Sequence, residues 1–266
     1  MLKGSLAVAA GIAAGTVVHG YGWERHALEV ARVDLPLRAL PAALDGVRVG
    51  FLTDLHLSKI VPEADVIAAV DAVNRERPDL VVLGGDYVSF ADRMFIDPVA
   101  DLLGKLAPQH GIFAIVGNHD DERRVPAALR RRGIEVLLDA RTRVALRGEA
   151  LEVAGLRFWT REPSEVAAVV GSAPAPTLLL AHDPRRVEEA AALGVAGMLA
   201  GHTHGGQVVL PGVGALAARK FPIASGRLTR GATELYVSRG VGTVVIPVRV
   251  NCPPEVTLVT LRRAAA

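Results

Sequence analysis

Over much of the chain a three-part unit recurs: a short apolar run, a polar cluster, then a segment whose apolar residues return at helical spacing. The runs 47–53, 80–83, 112–116, 177–180 and 195–200 are four to seven residues long and bounded by Gly, Pro or Asp. Continuous apolar runs of this length predict strands buried on both faces. After Pro62, Val66, Ile67, Val70 and Val73 follow a helical period, so Pro62 marks a predicted helix start. Segments around 99–106, 125–132 and 187–193 read as further helices. Beyond Gly205 the chain turns richer in Gly, Pro and β-branched residues, with 235–238, 243–250 and 256–261 as strand candidates. The pattern predicts an α/β domain over residues 45–263, uninterrupted by any linker-like stretch. A joining segment, 21–44, precedes it, punctuated by Pro36 and Pro41.

The extreme N-terminus follows a different rule. Lys3 is followed by an uncharged, largely apolar stretch over 4–18, whose length suits a signal-peptide hydrophobic region better than a full membrane span. Residues 1–20 are therefore expected to be a signal peptide or membrane anchor. Export or membrane association follows, with the domain on the extracytoplasmic face. No clean Ala-x-Ala site closes the run, which leaves an uncleaved anchor open, and no twin-arginine pair precedes it.

Composition narrows the partners. With 266 residues, half of them hydrophobic, the chain can bury one large core. A net charge of +2, from 30 basic and 28 acidic residues, is too small for a dedicated nucleic-acid binder, so no nucleic acid is expected. The single cysteine, Cys252, excludes an internal disulfide and a thiolate metal cage. The arginines at 123, 124, 130, 131, 132, 141, 143 and 147 read as solvated faces ahead of an anion site. Phe158 and Trp159 read as core, and 212–230 as a loop over a site.

The polar clusters carry the chemistry. They are Asp54-Leu55-His56, Gly84-Gly85-Asp86, Gly117-Asn118-His119-Asp120, Ala181-His182-Asp183 and Gly201-His202-Thr203-His204-Gly205, each at the end of an apolar run. Five of the eight histidines fall in them, leaving His19, His26 and His110. Strand alternation lets Asp54 and His56, and likewise His202 and His204, face the same way where a strand opens into a loop. Imidazole and carboxylate ligands without thiolate suit Mn²⁺, Fe²⁺/Fe³⁺ or Zn²⁺, whereas Mg²⁺ alone does not fit. An aspartate such as Asp86 can bridge two cations roughly 3.5–4 Å apart, which acidify a shared water into a hydroxide able to attack phosphorus. His119 stands where it can donate a proton or hold the phosphate, with Asp120 positioned to orient its ring.

This order of clusters resembles the calcineurin-like metallophosphoesterase family, whose blocks read Asp-x-His, Gly-Asp, Gly-Asn-His-Asp/Glu, His and Gly-His-x-His. All five are matched between residues 54 and 204. Gly205-Gly206-Gln207, Tyr236-Val237-Ser238-Arg239-Gly240-Val241-Gly242 and Cys252-Pro253-Pro254-Glu255 are similar to its bacterial membrane-associated phosphodiesterase branch, the YaeI/YkuE-like one. The resemblance implies a four-layer αββα sandwich with two mixed β-sheets and a site at the strand ends. It implies two divalent ions, one held by Asp54, His56, Asp86 and His204, the other by Asp86, Asn118, His182 and His202. It places His119 at the catalytic histidine position, as proton donor and outside the ligand set. The implied partners are a phosphate-ester substrate, lipid-linked in one version, and a membrane surface. A pyrophosphohydrolase of the UDP-2,3-diacylglucosamine type and a phosphomonoesterase share the same centre, and an inactive scaffold is the reading from another class. Leu156-Arg157-Phe158-Trp159 departs from the pattern, standing where a more acidic loop is expected.

Overall fold

The computed structural model describes residues 11, 14–171 and 176–264. In chain order its main elements begin with β1 (Glu29–Leu37), β2 (Arg48–Leu52), α1 (Glu63–Glu76), β3 (Leu80–Leu83), α2 (Ile96–Leu103), β4 (Ile112–Ala114), α3 (Arg124–Arg130) and β5 (Glu135–Val136). They continue through β6 (Ala140–Leu146), β7 (Glu149–Gly155), α4 (Pro163–Val170), β8 (Thr177–Leu180), α5 (Val187–Ala192) and β9 (Gly197–Ala200). The last are β10 (Val209–Leu210), β11 (Gly214–Ala215), β12 (Gly226–Arg230), β13 (Thr233–Val237) and β14 (Glu255–Arg263).

Two six-stranded mixed sheets result, in the orders β1-β14-β2-β3-β4-β5 and β12-β13-β9-β8-β7-β6. Alternation along each strand explains the layering. Val49 and Phe51 of β2, Leu80 and Val82 of β3 and Leu178 and Leu180 of β8 meet in one core between the sheets. Their neighbours Leu52, Val81 and Leu83 instead pack with Val66, Val70 and Val73 of α1 and with Val99 and Leu103 of α2. On the far side, Leu179 and Met198 pack with Val166 of α4 and Val187 of α5. The architecture is therefore helices, sheet, sheet, helices, and strands buried on both faces read as unbroken apolar runs.

Several segments differ from the sequence expectation, among them 226–230, expected as part of a loop but forming β12 in antiparallel pairing with β13. The segment 21–44 is not a bare connector, because β1 within it pairs in parallel with β14 from Glu29↔Glu255 to Leu37↔Arg263. The antiparallel pair β6 and β7 is also absent from the sequence expectation. Both β1 and β6 are sheet edges where charged side chains alternate with apolar ones, and Arg141 and Arg143 belong to β6. The candidate strand 243–250 is irregular instead. The Gln207 side chain satisfies its backbone, accepting from Val244 N–H at 2.7 Å and donating to the Ile246 carbonyl at 2.9 Å.

The chain is helical from 14 to 22, and Arg249 N–H donates to the Gly20 carbonyl at 3.2 Å, docking this segment on the domain. Among the described residues no helix is long and apolar enough to cross a membrane. Residues 1–10, 12 and 13 of the expected leader lie outside the described residues.

Candidate metal centre at the strand ends

Strands β2, β3, β4, β8 and β9 end along one edge of the sandwich, and the five polar clusters begin within a few residues of those ends. The backbone bends there sharply. Asp54 (φ 55°), His56 (49°), Asp86 (56°), His202 (70°) and His204 (51°) all adopt the left-handed conformation that disfavours a Cβ. Strand alternation is therefore not what aims Asp54 with His56 or His202 with His204. Each pair has left its strand, and its second member is turned by local strain that the surrounding packing sustains.

The strain is held by close packing of backbone on side chain. A Cβ at Gly117 would lie 2.1 Å from Asp86 Oδ1, and one at Gly201 would lie 2.2 Å from Asp54 Oδ2. Only glycine leaves that space. The β2 and β3 loops run side by side, with Asp54 N–H donating to Gly85 O at 2.9 Å and His56 N–H to Asp86 O at 3.0 Å.

Two ligand groups emerge, Asp54 with His56 and His204, and Asp86 with His182 and His202. His56 Nε2 and His204 Nε2 stand 3.1 Å apart, and Asp54 Oδ1 is 3.4 Å from His204 Nε2. Asp86 Oδ2 lies between the groups, 3.4 Å from His56 Nε2 and 3.2 Å from His182 Nε2. Asn118 sits beside them with a buried Oδ1 that has no hydrogen-bond partner. An orphaned acceptor in a buried cluster is costly unless a cation completes it, and two carboxylates converge here with four imidazoles, so the donor set fits metal. Nitrogen and carboxylate ligands without sulfur match divalent transition ions.

Outer contacts set the tautomers. The His182 Nδ1–H donates to the Gly84 carbonyl at 2.7 Å, which turns Nε2 toward Asp86 as the ligand nitrogen. Burial holds His56 down to about 3 against the pull of Asp86, and His202 down to about 4. Both rings are thus neutral and ready to bind. His204 is likewise held well below the usual range by burial. Burial also acts to lower His182, but the charges of Asp86 and Asp54 outweigh it and raise this ring to about 10 without metal. Burial and the neighbouring Asp86 raise Asp54 to about 6, offset in part by His182.

Of the pair His119 and Asp120, the second stands differently from the sequence reading. The Phe90 N–H donates to His119 Nδ1 at 3.2 Å, leaving Nε2 as the protonated nitrogen. Asp120 does not reach this ring. Its carboxylate accepts from the backbone N–H groups of Asp86 (2.8 Å), Gly117 (2.9 Å) and Tyr87 (2.9 Å), so it locks the loops carrying Asp86 and Asn118 together.

Further residues shape the centre without standing in any of the five clusters. Arg249, fully buried, donates to the carbonyls of Arg239 (2.8 Å), Gly240 (3.0 Å), Gly242 (2.6 Å) and Cys252 (3.0 Å). The loop so clamped lies against the ligands, since Gly242 N–H donates to Asp54 O at 2.7 Å and a Cβ at Gly240 would meet Asp54 Cβ at 2.5 Å. On the other flank Phe158 packs against His182 and His202 with ring centroids at 5.8 and 5.2 Å, and Phe221 packs on His202 at 5.3 Å. Phe158 is thus a wall of the site, while Trp159 is 60% exposed. Phe221 brings part of 212–230 to the site, whereas the arginines stay apart: Arg131 pairs with Asp97, Arg132 with Asp101 and Arg143 with Glu152. His26 is engaged elsewhere, with Asp65 at 2.8 Å.

Comparison with known proteins agrees with this geometry. Residues 47–206 match the family model described as calcineurin-like phosphoesterase. The chain is 34% identical over 226 residues to phosphodiesterase YaeI of Escherichia coli, covering 80% of this chain and 82% of that protein. It is 30% identical over 276 residues to the metallophosphoesterase YkuE of Bacillus subtilis, covering 98% and 96%. In fold it is similar to the crystal structure of TT1561 of Thermus thermophilus, with a TM-score of 0.53 at 12% identity, over 73% of this chain and 89% of that one.

Proposed function

The chain belongs to the calcineurin-like phosphoesterase family, in the branch of YaeI and YkuE, and from that premise we propose that this metal-dependent phosphoester hydrolase is a two-metal phosphodiesterase. The observation that carries the reading is Asp86, whose Oδ2 lies within 3.4 Å of one imidazole from each ligand group. We assign Asp54, His56, Asp86 and His204 to one ion, and Asp86, Asn118, His182 and His202 to the other. When bound, two divalent ions supply an activated water as nucleophile and offset charge on the phosphoryl oxygens. In the overall reaction the water oxygen bonds to phosphorus, the P–O bond to the alcohol breaks, and the two water protons end on the products.

His119 takes the phosphate-holding role. A ring whose Nδ1 accepts the Phe90 N–H is neutral, so Nε2–H serves as a hydrogen-bond donor to the departing or phosphoryl oxygen. Handing over that proton outright would require protonating Nδ1 first and displacing the Phe90 amide. Phe158 and Phe221 bound the opposite side, where Arg161 lies 5.5 Å over Phe158 and Arg185 5.5 Å over Phe221.

We also assign the N-terminal helical segment to a membrane surface. Val18 on it and Trp23 just past its end are each 71% exposed, and Tyr21 lies between them, a set that suits a lipid–water boundary.

The test is hydrolysis by protein loaded with Mn²⁺, Fe²⁺ or Zn²⁺, with bound metal measured in the same sample. The diester bis-p-nitrophenyl phosphate is expected to be cleaved with a higher kcat/KM than the monoester p-nitrophenyl phosphate. Two bound ions with no turnover of either ester would leave a scaffold, and preference for the monoester would replace diesterase by monoesterase.

A further inference from the structure

A groove of about 540 Å³ opens directly beside the candidate metal centre, between the loops at 58–60, 89–92 and 243–247. Volumes of this size accommodate drug-sized ligands. It adjoins the centre. Ser89 Oγ lies 3.4 Å from His56 Nδ1, the Phe90 ring packs 4.9 Å from the His119 ring, and Thr243 follows Gly242, which is bonded to Asp54.

The groove is built to present apolar surface. Val245, Phe90, Ile60 and Ile246 are 81%, 71%, 51% and 48% exposed along it. Val245 holds that position at φ 64°, a conformation a β-branched residue avoids. Ordinary packing gives no return for that strain, since the side chain it displays is almost wholly in solvent. At its inner end the Thr243 hydroxyl is buried and has no hydrogen-bond partner, so a polar group is held where a ligand's own oxygen would satisfy it. Ser58, Lys59, Ser89 and Asp92 also line the groove beside these residues, and mostly apolar walls with a few polar groups are the signature of a ligand site. The metal centre next door handles the charged part of a phosphoester, which leaves the groove for the organic part.

We propose that this groove receives an aliphatic chain attached to the phosphoester, with Ile60, Phe90, Val245 and Ile246 lining the chain and Thr243 bonding an oxygen near its root. The chain enters past His119, on the flank opposite Phe158 and Phe221. The proposal rests on the phosphodiesterase reading for the seat of the phosphate, and its chemistry fits a lipid or a soluble long-chain ester.

Binding of methyl, butyl and octyl phosphate by calorimetry on the metal-loaded protein tests it, with methyl-group NMR of Ile and Val as a second readout. Affinity is expected to rise about two- to fourfold per methylene until the groove is full. Ile60, Val245 and Ile246 methyl signals should shift with octyl but not methyl phosphate. Val245→Asp and Ile60→Asn should reduce the octyl-to-methyl ratio toward one, while Leu193→Asp, at an exposed position just past the end of α5, keeps it. Asp accepts the left-handed backbone, so Val245→Asp is compatible with folding.

Equal affinity for methyl and octyl phosphate overturns the groove, as does a chain-length gain that survives both substitutions. If the substitutions abolish binding to phosphatidylglycerol vesicles yet keep the ratio, the surface is a bilayer contact and the chain pocket is wrong. Failure to hydrolyse bis-p-nitrophenyl phosphate would sink the phosphodiesterase reading alone, because the affinity ladder still decides the groove.

Discussion

The bodies of the strands and their downstream ends obey opposite rules within the same few residues. In β2, Phe51 is fully buried in the inter-sheet core and Leu52 in the core facing the helices. Two residues later Asp54 is equally buried, but left-handed, charged and raised to about 6 chiefly by burial. β3 repeats the contrast between Val82 and Asp86, and β9 between Leu199 and His202. The difference teaches that the fold is secured upstream and its surplus stability is spent on polar, strained groups that no core would select. A ligand cluster can stay buried and unsatisfied only because the sandwich beneath it over-determines the backbone.

The largest effect should come from the downstream side. Asp86→Asn keeps the shape and removes the carboxylate shared by both groups, so kcat/KM on bis-p-nitrophenyl phosphate is expected to fall at least about a thousandfold. Metal content, read by elemental analysis, should fall with it, and the chelated protein should lose much of the pH dependence of melting that Asp86 imposes through His182. Full activity at unchanged metal content would remove Asp86 from the centre. The upstream counterpart is Phe51→Ala, expected to cost about 3–5 kcal/mol in denaturant unfolding. Activity per folded molecule should survive it, and comparable losses of activity and stability would erase the distinction between the two regions.

His119 sharpens the contrast at the boundary of the site. For an ester with an unactivated alcohol, His119→Ala is expected to lower kcat by about a hundred- to a thousandfold, as loss of a transition-state donor does. His119→Gln keeps an N–H near the Nε2 position and should recover about tenfold of that. Equal losses in Ala and Gln, in single-turnover measurements, would mean that the ring surrenders its proton.

Legibility follows the same division. The strand bodies were readable because double-sided burial writes itself as an unbroken apolar run, and the ligand clusters because rare residue types gather at the ends of those runs. Edge strands β1 and β6 were not, since one exposed side turns their pattern into scattered charge. Nor were the positioning groups. Arg249 looks like any other arginine until four carbonyls surround it, and Asp120, adjacent to His119 in sequence, turns to three amides on neighbouring loops. The left-handed turns at Asp54 and His202 give no periodic signal, although Gly117, Gly201 and Gly240 mark where side chains need the space. Strand parity foretold that Asp54 would accompany His56, yet the conformation that achieves it belongs to the loop.

The smallest effect, and the most direct measure of what the strand ends cost, is the pH dependence of the metal-free fold. His182 titrates near 6.5 in an unfolded chain and at about 10 in the folded, metal-free protein, where burial is outweighed by Asp86 and Asp54. Between those values the folded state holds an extra proton. Its stabilisation is therefore complete below about pH 6.5 and is lost as pH rises through about 10. Asp120, raised to about 7 by burial and Asp86, adds the same sign at the lower edge of this window. His56 and His202 titrate at about 3 and 4 when folded, so their opposite contribution acts only below about pH 6.5. Chelated protein should thus melt at progressively lower temperature from pH 6.5 to 9.5. Added Mn²⁺ should flatten or reverse that slope, because the cation replaces the proton between the carboxylates and the stabilisation by metal grows as protons become scarce. Calorimetry in buffers of different ionisation enthalpy at pH 8 should register proton release on metal binding. A chelated protein whose melting temperature rises across this window would mean that the cluster is not held together by a proton on His182, and the contrast between unstrained strand bodies and electrostatically loaded ends would lose its clearest instance.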